Sequence, residues 1–388
     1  MELLLKYGLN PHQHPAKLTL PTVSPLSVLN GTPGYVNIID AIGAWQLARE
    51  LKNATGIAGA ASFKHASPAG AAIGGDLDDP YLASQFLTRA ELSPVASAYV
   101  RARGGDNMCS FGDCVAVSEV VDRSLARLLK QEVSDLIIAP GYDSDALEIL
   151  RKKKDGKYLV LEIDPDYEPS SIEHRTLFGL QLEQPRNNAV ITRDTFSNIV
   201  TSKKNISEDV LETLIVATIA LKYTQSNSMC VAYEGQVIGM GAGQQSRIHC
   251  TRLACDKAEK WFLQQHPRTR GLSFRKGLKR TEKTNIMDQY LLWDQLSHTE
   301  ESRMLTDLND RPVPISPEER RDYLSSFKGI CLSSDALIPF RDNIDRANRS
   351  NVQYIAQTGG STRDDGVTEA ANEYSMVMAH TGLRLFLH

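Results

Sequence analysis

The sequence predicts an α/β protein of two layered units with a small helical insertion, and three observations lead there. Short apolar runs such as Ile57–Phe63 and Asp135–Pro140 end on Gly, Pro or polar residues, as buried strands do. Stretches with helical apolar spacing lie between them, and strands alternating with helices build a layered domain with ligand chemistry at the strand ends. From His266 to Phe327 charged residues dominate, strand signals vanish, and helical spacing with Trp293, Leu296 and Tyr323 takes over. The expected units are residues 1–185, then 186–265 together with 328–388, with 266–327 as the insertion.

Each element has its own warrant. Leu3–Tyr7 is a short segment before a loop rich in Pro, His and Asn. Ile38–Asn53 carries Ile39, Ile42, Trp45, Leu47 and Leu51 at helical spacing, with Asp40 near its start. The strand Ile57–Phe63 follows, and it is expected to stop before Pro68, which cannot donate to a ladder, and Gly70, which breaks one. A helix over Tyr81–Glu91, a strand over Val95–Arg101, an apolar run at Cys114–Val121 and a basic helix around Arg123–Glu132 come next. Asp135–Pro140 and Tyr158–Ile163 are strands around a helix at Ala146–Lys154. The polar stretch Glu183–Asn188 leads to the second unit, with a helix at Asp209–Leu221, strands at Ser228–Tyr233 and Gln236–Met240, and a helix near Cys250–Gln264. Ile330–Leu332, Tyr354–Gln357 and Ser375–His380 resume the pattern, and Leu383–Leu387 reads as a final strand. Lys64 with Ser67, and Lys222 with Ser228, recur as a weak parallel that points to a degenerate duplication.

The totals exclude several classes. A chain of 388 residues with 41% hydrophobic and 23% charged content is globular. A net charge of −4 gives no global pull toward nucleic acid or anionic membrane, so an anionic ligand needs a local basic pocket. No apolar run of about 18 residues spans a membrane. No secretory leader is expected from the opening, and six scattered cysteines fit free thiols in a reducing cytoplasm.

The central motif is Ala60–Gly70, where a strand ends in Lys64 and His65. Neighbours on a strand point to opposite faces, but at a strand end both reach one cleft. A histidine that titrates near neutrality beside a permanent cation is a proton-transfer pair, against the plainer reading of a surface lysine next to a core histidine. Gly239-x-Gly241-x-Gly243 with Arg247 offers backbone N–H groups at a helix start, as an anion cradle or as a structural turn. Asn227, in Thr224–Ser228, has the donor and acceptor needed to read a carboxamide. Asp342 and Asn343 either line a site or cap a helix. Arg384, among apolar neighbours, calls for an anionic partner. The cysteine and histidine spacings are wider than in most zinc sites, and no metal site is expected.

In order along the chain, Lys6–Gln13, Ser62–Gly70, Arg101–Asp106, Ser110–Asp113, Ile137–Tyr142, Lys222–Ser228, Gly241–Arg252 and Pro339–Asn343 carry the motifs of one family. Together they resemble the transformylase half of the bifunctional AICAR transformylase/IMP cyclohydrolase enzymes. The resemblance implies two cytidine-deaminase-like three-layer α/β/α units without zinc, and a cytoplasmic homodimer with sites at the interface. It also implies formyl transfer from 10-formyltetrahydrofolate to the amino group of AICAR, giving FAICAR in purine biosynthesis. By motif, His65 is the proton acceptor and Lys64 the transition-state stabiliser. Lys6, Tyr7, Gly112, Asp135, Asn227, Arg247, Leu337 and Arg384 match nucleotide-contacting positions, while Ile248, Asp342, Ser361 and Thr362 match folate-contacting ones. The resemblance allows a monovalent cation such as potassium, with no ligand pattern that fixes it.

Three departures stand out. Lys6 replaces an arginine, which keeps charge but loses bidentate phosphate geometry. Leu337 replaces an aromatic ring. Met1 directly precedes the first motif, so a cyclohydrolase half is not expected. The alternatives are a catalytically weak AICAR-binding regulatory protein of the same fold, prompted by Lys6 and Leu337, and a hydrolytic deaminase, against which the missing zinc signature counts.

Overall fold

In the computed structural model, which describes residues 2–88 and 92–388, most strands join one mixed sheet of 11. Strands β1 (Glu2–Leu5) and β2 (Ala16–Thr19) form a separate antiparallel pair. The first run continues through β3 (Leu26–Asn30), α1 (Tyr35–Thr55), the hairpin β4 (Gly59–Lys64) and β5 (Ser67–Ile73), α2 (Asp79–Ser84) and α3 (Pro94–Gly104). It ends with β6 (Asp113–Val117), α4 (Arg123–Gln131), β7 (Ser134–Ala139), α5 (Ser144–Arg151) and β8 (Leu159–Ile163). An exposed hairpin, β9 (Ile172–Leu177) and β10 (Leu180–Pro185), follows.

The second run has α6 (Glu208–Lys222), β11 (Met229–Tyr233), β12 (Gln236–Gly241) and α7 (Arg247–Gln264). Four helices come next: α8 (Pro267–Arg270), α9 (Arg280–Leu291), α10 (His298–Thr306) and α11 (Pro317–Ser325). They enclose an apolar cluster of their own that includes Leu272, Ile286, Tyr290, Met304 and Ile315. The run closes with β13 (Cys331–Ser334), α12 (Asp342–Arg349), β14 (Tyr354–Gln357), α13 (Asp364–Glu373) and β15 (Val377–His380).

The sheet order is β15-β14-β13-β11-β12-β5-β4-β6-β7-β8-β3. In each run the leading hairpin strand pairs antiparallel to the next strand and two parallel strands lie beyond, and the first run adds β3 antiparallel to β8 at its edge. The runs join through β5 and β12, antiparallel at Ala72 and Gln236. Because side chains alternate across a strand, each strand supplies both faces. One face buries Ala61, Cys114, Leu136, Cys230 and Ala356 beneath α1 and α6. On the other, Val115, Ile137 and Val160 meet α3, α4 and α5. There Val231, Leu332 and Ile355 meet α7, α12 and α13. Helices on both faces of one sheet make three layers.

The second hairpin strand meets a helix through glycine in both runs. A Cβ on Gly70 would overlap the Ala102 carbonyl of α3, and one on Gly239 or Gly241 would overlap the Ala254 or Cys250 carbonyl of α7. These glycines let a strand backbone approach a helix backbone. They therefore correct the anion-cradle reading at Gly239 and Gly241, leaving Gly243 (φ +65) with an unfilled left-handed position.

Other expectations also change. Chain direction reverses at His65 and Ala66, and Ser67–Ile73 is a strand in spite of Pro68 and Gly70. Pro68 lies opposite Phe63, while the registered pairing with β12 is confined to Ala72, so the missing N–H interrupts no second ladder. Val95–Arg101 lies inside helix α3: Ser93 caps it, accepting from Ala96 N at 3.3 Å, and Pro94 starts it. A short apolar run buried on every side has no periodicity to separate strand from helix. The Tyr81–Glu91 helix is shorter, ending at Ser84, and Arg89, Ala90 and Glu91 lie outside the described residues. Glu183 and Gln184, expected in a polar connection, pair within the β9–β10 hairpin. Leu383–Leu387 forms no strand. Lys64 ends a strand whereas Lys222 ends a helix, so the repeat lies in the strand order and not in that lysine–serine parallel.

Candidate active site

Antiparallel joining of the two runs sets opposite ends of them side by side. The β4–β5 turn of the first and the carboxyl ends of β13, β14 and β15 of the second face the same edge of the sheet. Gln225 N donates to Ser67 Oγ at 3.3 Å across the join.

His65 (φ +54) and Ala66 (φ +56) both occupy the left-handed region in a two-residue turn. Residues with a Cβ hold that conformation at a cost of roughly 1–2 kcal/mol each, and such strain clusters at functional sites. Asp40 of α1 fastens the turn, its Oδ1 accepting from Ala66 N at 2.8 Å. Burial pushes the Asp40 carboxyl above its ordinary value, against the opposing pulls of the Ala66 amide and His65. Lys64 is half-buried and its Nζ donates to the Phe111 carbonyl at 2.6 Å, while His65 is exposed. The neighbouring side chains therefore divide their tasks: the ammonium is tethered to the first run, and the imidazole is open to solvent.

Gly112 follows Phe111 with φ +78, and its N–H donates to Val133 O at 2.8 Å. A Cβ at Gly112 would lie 3.5 Å from Asp135 Oδ2, so these two predicted residues are neighbours. Asp135 is exposed and pairs with Lys154 Nζ at 2.5 Å. Lys6 and Tyr7 are exposed and tied to the entrance of α1, through Lys6 N to Pro33 O at 3.2 Å and Tyr35 N to Tyr7 O at 3.4 Å. Among the described residues no hydrogen bond or ion pair joins Lys6 or Tyr7 to the His65 turn.

The second run supplies a denser network. Arg247 opens α7, is almost fully buried, and pairs with fully buried Asp335. It also donates to Ser228 O and to Asn227 Oδ1, each at 2.9 Å. Asp335 Oδ2 accepts from Ser226 Oγ at 2.6 Å and from Ser228 N and Oγ, both at 2.9 Å. The Asn227 carbonyl group of the side chain is thus committed, whereas its Nδ2 donates to nothing among the described residues. Arg247 holds the asparagine loop rather than presenting a free guanidinium.

The C-terminal segment straps this edge. Thr358 Oγ1 donates to Leu383 O at 2.6 Å, Leu385 N to Asp335 O at 2.8 Å, and Ser226 N to Leu387 O at 3.0 Å. Arg384 lies between those anchors, exposed, with Cζ 4.9 Å from the Phe386 ring centroid. It is not buried among apolar groups as the sequence implied, so no desolvation demands an anionic partner. Leu337 is 37% exposed on the loop after Asp335.

Ile248 follows Arg247 on α7 and is half-buried. Asp342 is exposed in the first turn of α12, and Asn343 takes Thr251 Oγ1 of α7 at 2.7 Å. Neither side chain caps α12, which corrects that reading: Asn343 is occupied in joining two helices. Ser361 and Thr362 precede α13, where Asp364 Oδ2 accepts from Gly360 N at 2.7 Å and Ser361 N at 3.1 Å. A polar cavity of about 400 Å³ adjoins that loop, between Asp194–Asn198, Thr358–Gly360 and His380–Gly382.

Sequence reasoning did not single out Asp335, and it named Ser226 and Ser228 only as part of the Lys222–Ser228 motif. An aspartate directly after a strand, among hydroxyls and with a buried arginine elsewhere, was the available signal. Only folding pairs Asp335 with Arg247 across 88 positions.

The family model for the AICARFT/IMPCHase bienzyme matches residues 2–257. The bifunctional purine biosynthesis protein PurH of Magnetococcus marinus is 28% identical over 393 residues, covering 99% of this chain and 59% of that protein. The PurH proteins of Rhizobium rhizogenes (28%, 58% of its length) and Caldicellulosiruptor saccharolyticus (27%, 59%) also align with 99% of the chain. The chain therefore spans under three fifths of the length of these relatives.

Proposed function

The chain belongs to the AICARFT/IMPCHase bienzyme family, and from that premise we propose that it is the formyl-transferring part of such an enzyme. The substrates are AICAR and 10-formyltetrahydrofolate, and the product is FAICAR for purine biosynthesis. The AICAR amine is a poor nucleophile because its lone pair is delocalised toward the carboxamide. As it attacks the formyl carbon, His65 takes the amine proton. Lys64 stabilises the oxyanion, and when the tetrahedral adduct collapses the bond from the formyl carbon to the folate nitrogen breaks, and that nitrogen leaves with the proton His65 returns. Each role is worth roughly 10²–10⁴ in rate.

The observation that carries the reading is the left-handed His65–Ala66 turn, fastened by Asp40 and seated against the Asn227 loop. Asn227 Nδ2 reads the carboxamide oxygen, with Arg247 holding the asparagine. Lys6, Tyr7, Gly112, Asp135, Leu337 and Arg384 complete the nucleotide side. Ile248, Asp342, Ser361 and Thr362 meet folate, with the adjoining polar cavity as room for it. Steady-state formyl transfer with both substrates tests the assignment. His65→Ala should lower turnover at least about 100-fold with folding retained; near-normal turnover would remove His65 as the base.

We read each run as a cytidine-deaminase-like unit, from its strand order, with residues 266–327 inserted in the second. The reading extends to a cytoplasmic homodimer with sites at the interface. The β9–β10 hairpin supports the dimer: Phe178 at its tip is fully exposed, with Leu177, Leu180 and Leu182 exposed beside it, a protruding apolar patch that a second copy would cover. Phe178→Asp should shift sedimentation toward monomer, and an unchanged species would remove the hairpin from the interface. A monovalent cation such as potassium is part of the reading without an assigned site. Asp335 already takes Arg247 and two seryl hydroxyls, so no step is routed through a cation.

A further inference from the structure

A second buried network lies behind Lys64. The Phe111 carbonyl that takes its ammonium belongs to a turn that a buried arginine holds directly at Ser110 and, through the shared Val133 carbonyl, beside Gly112. Arg103 Nη1 donates to Ser110 O at 2.7 Å, on one side of Phe111, and its Nη2 donates to Val133 O at 3.3 Å. Val133 O is also the acceptor for the Gly112 N–H, on the other side. The Arg103 guanidinium carbon stands 5.8 Å from the Phe111 ring centroid. Asp113, fully buried, lies 3.0 Å from Arg103 Nη1 through Oδ1. Its Oδ2 accepts from Ser62 Oγ at 2.7 Å. Ser62 sits on β4 two positions before Lys64, so the strand bearing the lysine and the turn receiving it are fastened to the same pair of charges.

We propose that Arg103 and Asp113 are positioning residues for formyl transfer, acting through Ser62 and the Phe111 carbonyl to fix the Lys64 ammonium at the strand end. The inference rests on the transformylase reading of Lys64. A buried arginine and aspartate used for stability alone would need no link to the catalytic strand. Here the link runs from β4 to the carbonyl that orients the amine. Geometry of this kind matters because a misplacement near 1 Å costs up to about 100-fold in rate.

Arg103 is too deeply buried for a lone substitution to separate folding from positioning, so the test uses Ser62→Ala with Arg103→Lys beside it. The expected result for Ser62→Ala is a kcat lower by about 10-fold, with KM for AICAR little changed and the folded state retained at the assay temperature. In a Lys64→Met background the same substitution should cost nothing further, because coupled groups are non-additive. Reductive methylation of Lys64, followed by mass spectrometry without substrates, should run several-fold faster in either folded variant. Equal losses of kcat in both backgrounds, or an unchanged labelling rate, would overturn the proposal. The labelling arm reads geometry directly: an inactive wild-type chain would unseat the transformylase reading and leave this inference to the labelling result.

Discussion

Apart from the edge strand β3, the two runs of the sheet share one strand order, yet they offer opposite ends to the candidate site. The first contributes its hairpin turn, with Lys64 and His65, and the starts of β6 and β7, where Gly112 and Asp135 lie. The second contributes the carboxyl ends of β13, β14 and β15 and the start of α7. At the far edge, the equivalent turn is Glu234–Gly235, where Arg101 donates to Ile73 O at 2.7 Å and to Glu234 O. A buried arginine plugs the place that its counterpart leaves open. A repeated fold thus supplies two similar ends, and side chains distinguish the candidate site from its plugged counterpart.

The comparison can be broken most severely at Asp335. Asp335→Ala would strand Arg247 as an uncompensated buried charge and release the Asn227 loop, at a cost of about 3–5 kcal/mol. Denaturant unfolding measures it, and a change under about 1 kcal/mol would show that the second run does not depend on this pair.

A smaller effect tests the symmetry itself. Gly70→Ala and Gly239→Ala each drive a methyl into a helix carbonyl, which should cost roughly 1–3 kcal/mol apiece. Similar losses in thermal unfolding would support equivalent packing of the hairpins. A tolerated substitution in one run only would mean that its helix can retreat.

The smallest effect is a pH dependence at the turn. Burial raises the folded carboxyl of Asp40 above its ordinary 3.8, so the folded state favours the protonated acid. That contribution is present below 3.8 and fades as pH rises through the raised value. Asp40→Asn keeps an acceptor for Ala66 N but cannot ionise. Its stability relative to wild type should climb across that window and then level off. Melting temperatures measured from acid to neutral pH check this, and a constant gap would remove Asp40 as the source.

Much of the frame was legible because hydrophobic period and turn chemistry are local. The helix at Ile38–Asn53, the strands at Ser228–Tyr233 and Tyr354–Gln357, and the change of character after His266 could all be read directly. Errors fell where local signals are silent or mislead. Pro68 and Gly70 imply a break only if the partner strand is unknown; paired with β4 they sit within a hairpin. Val95–Arg101 shows the same apolar run in a strand or a buried helix, and the Ser93–Pro94 start was the usable clue. Arg384 looked buried because its sequence neighbours are apolar, but the C-terminal strap turns it to solvent.

By itself the sequence determined the elements, the Lys64–His65 pair and the ordered motifs of the family, all properties of residues close together in the chain. Tertiary structure alone decided which segments meet at the candidate site, that Arg247 answers Asp335, and that the Lys64 ammonium meets the Phe111 carbonyl. Those are contacts between distant segments. Their partners follow from strand order and direction, which no local pattern of side chains encodes.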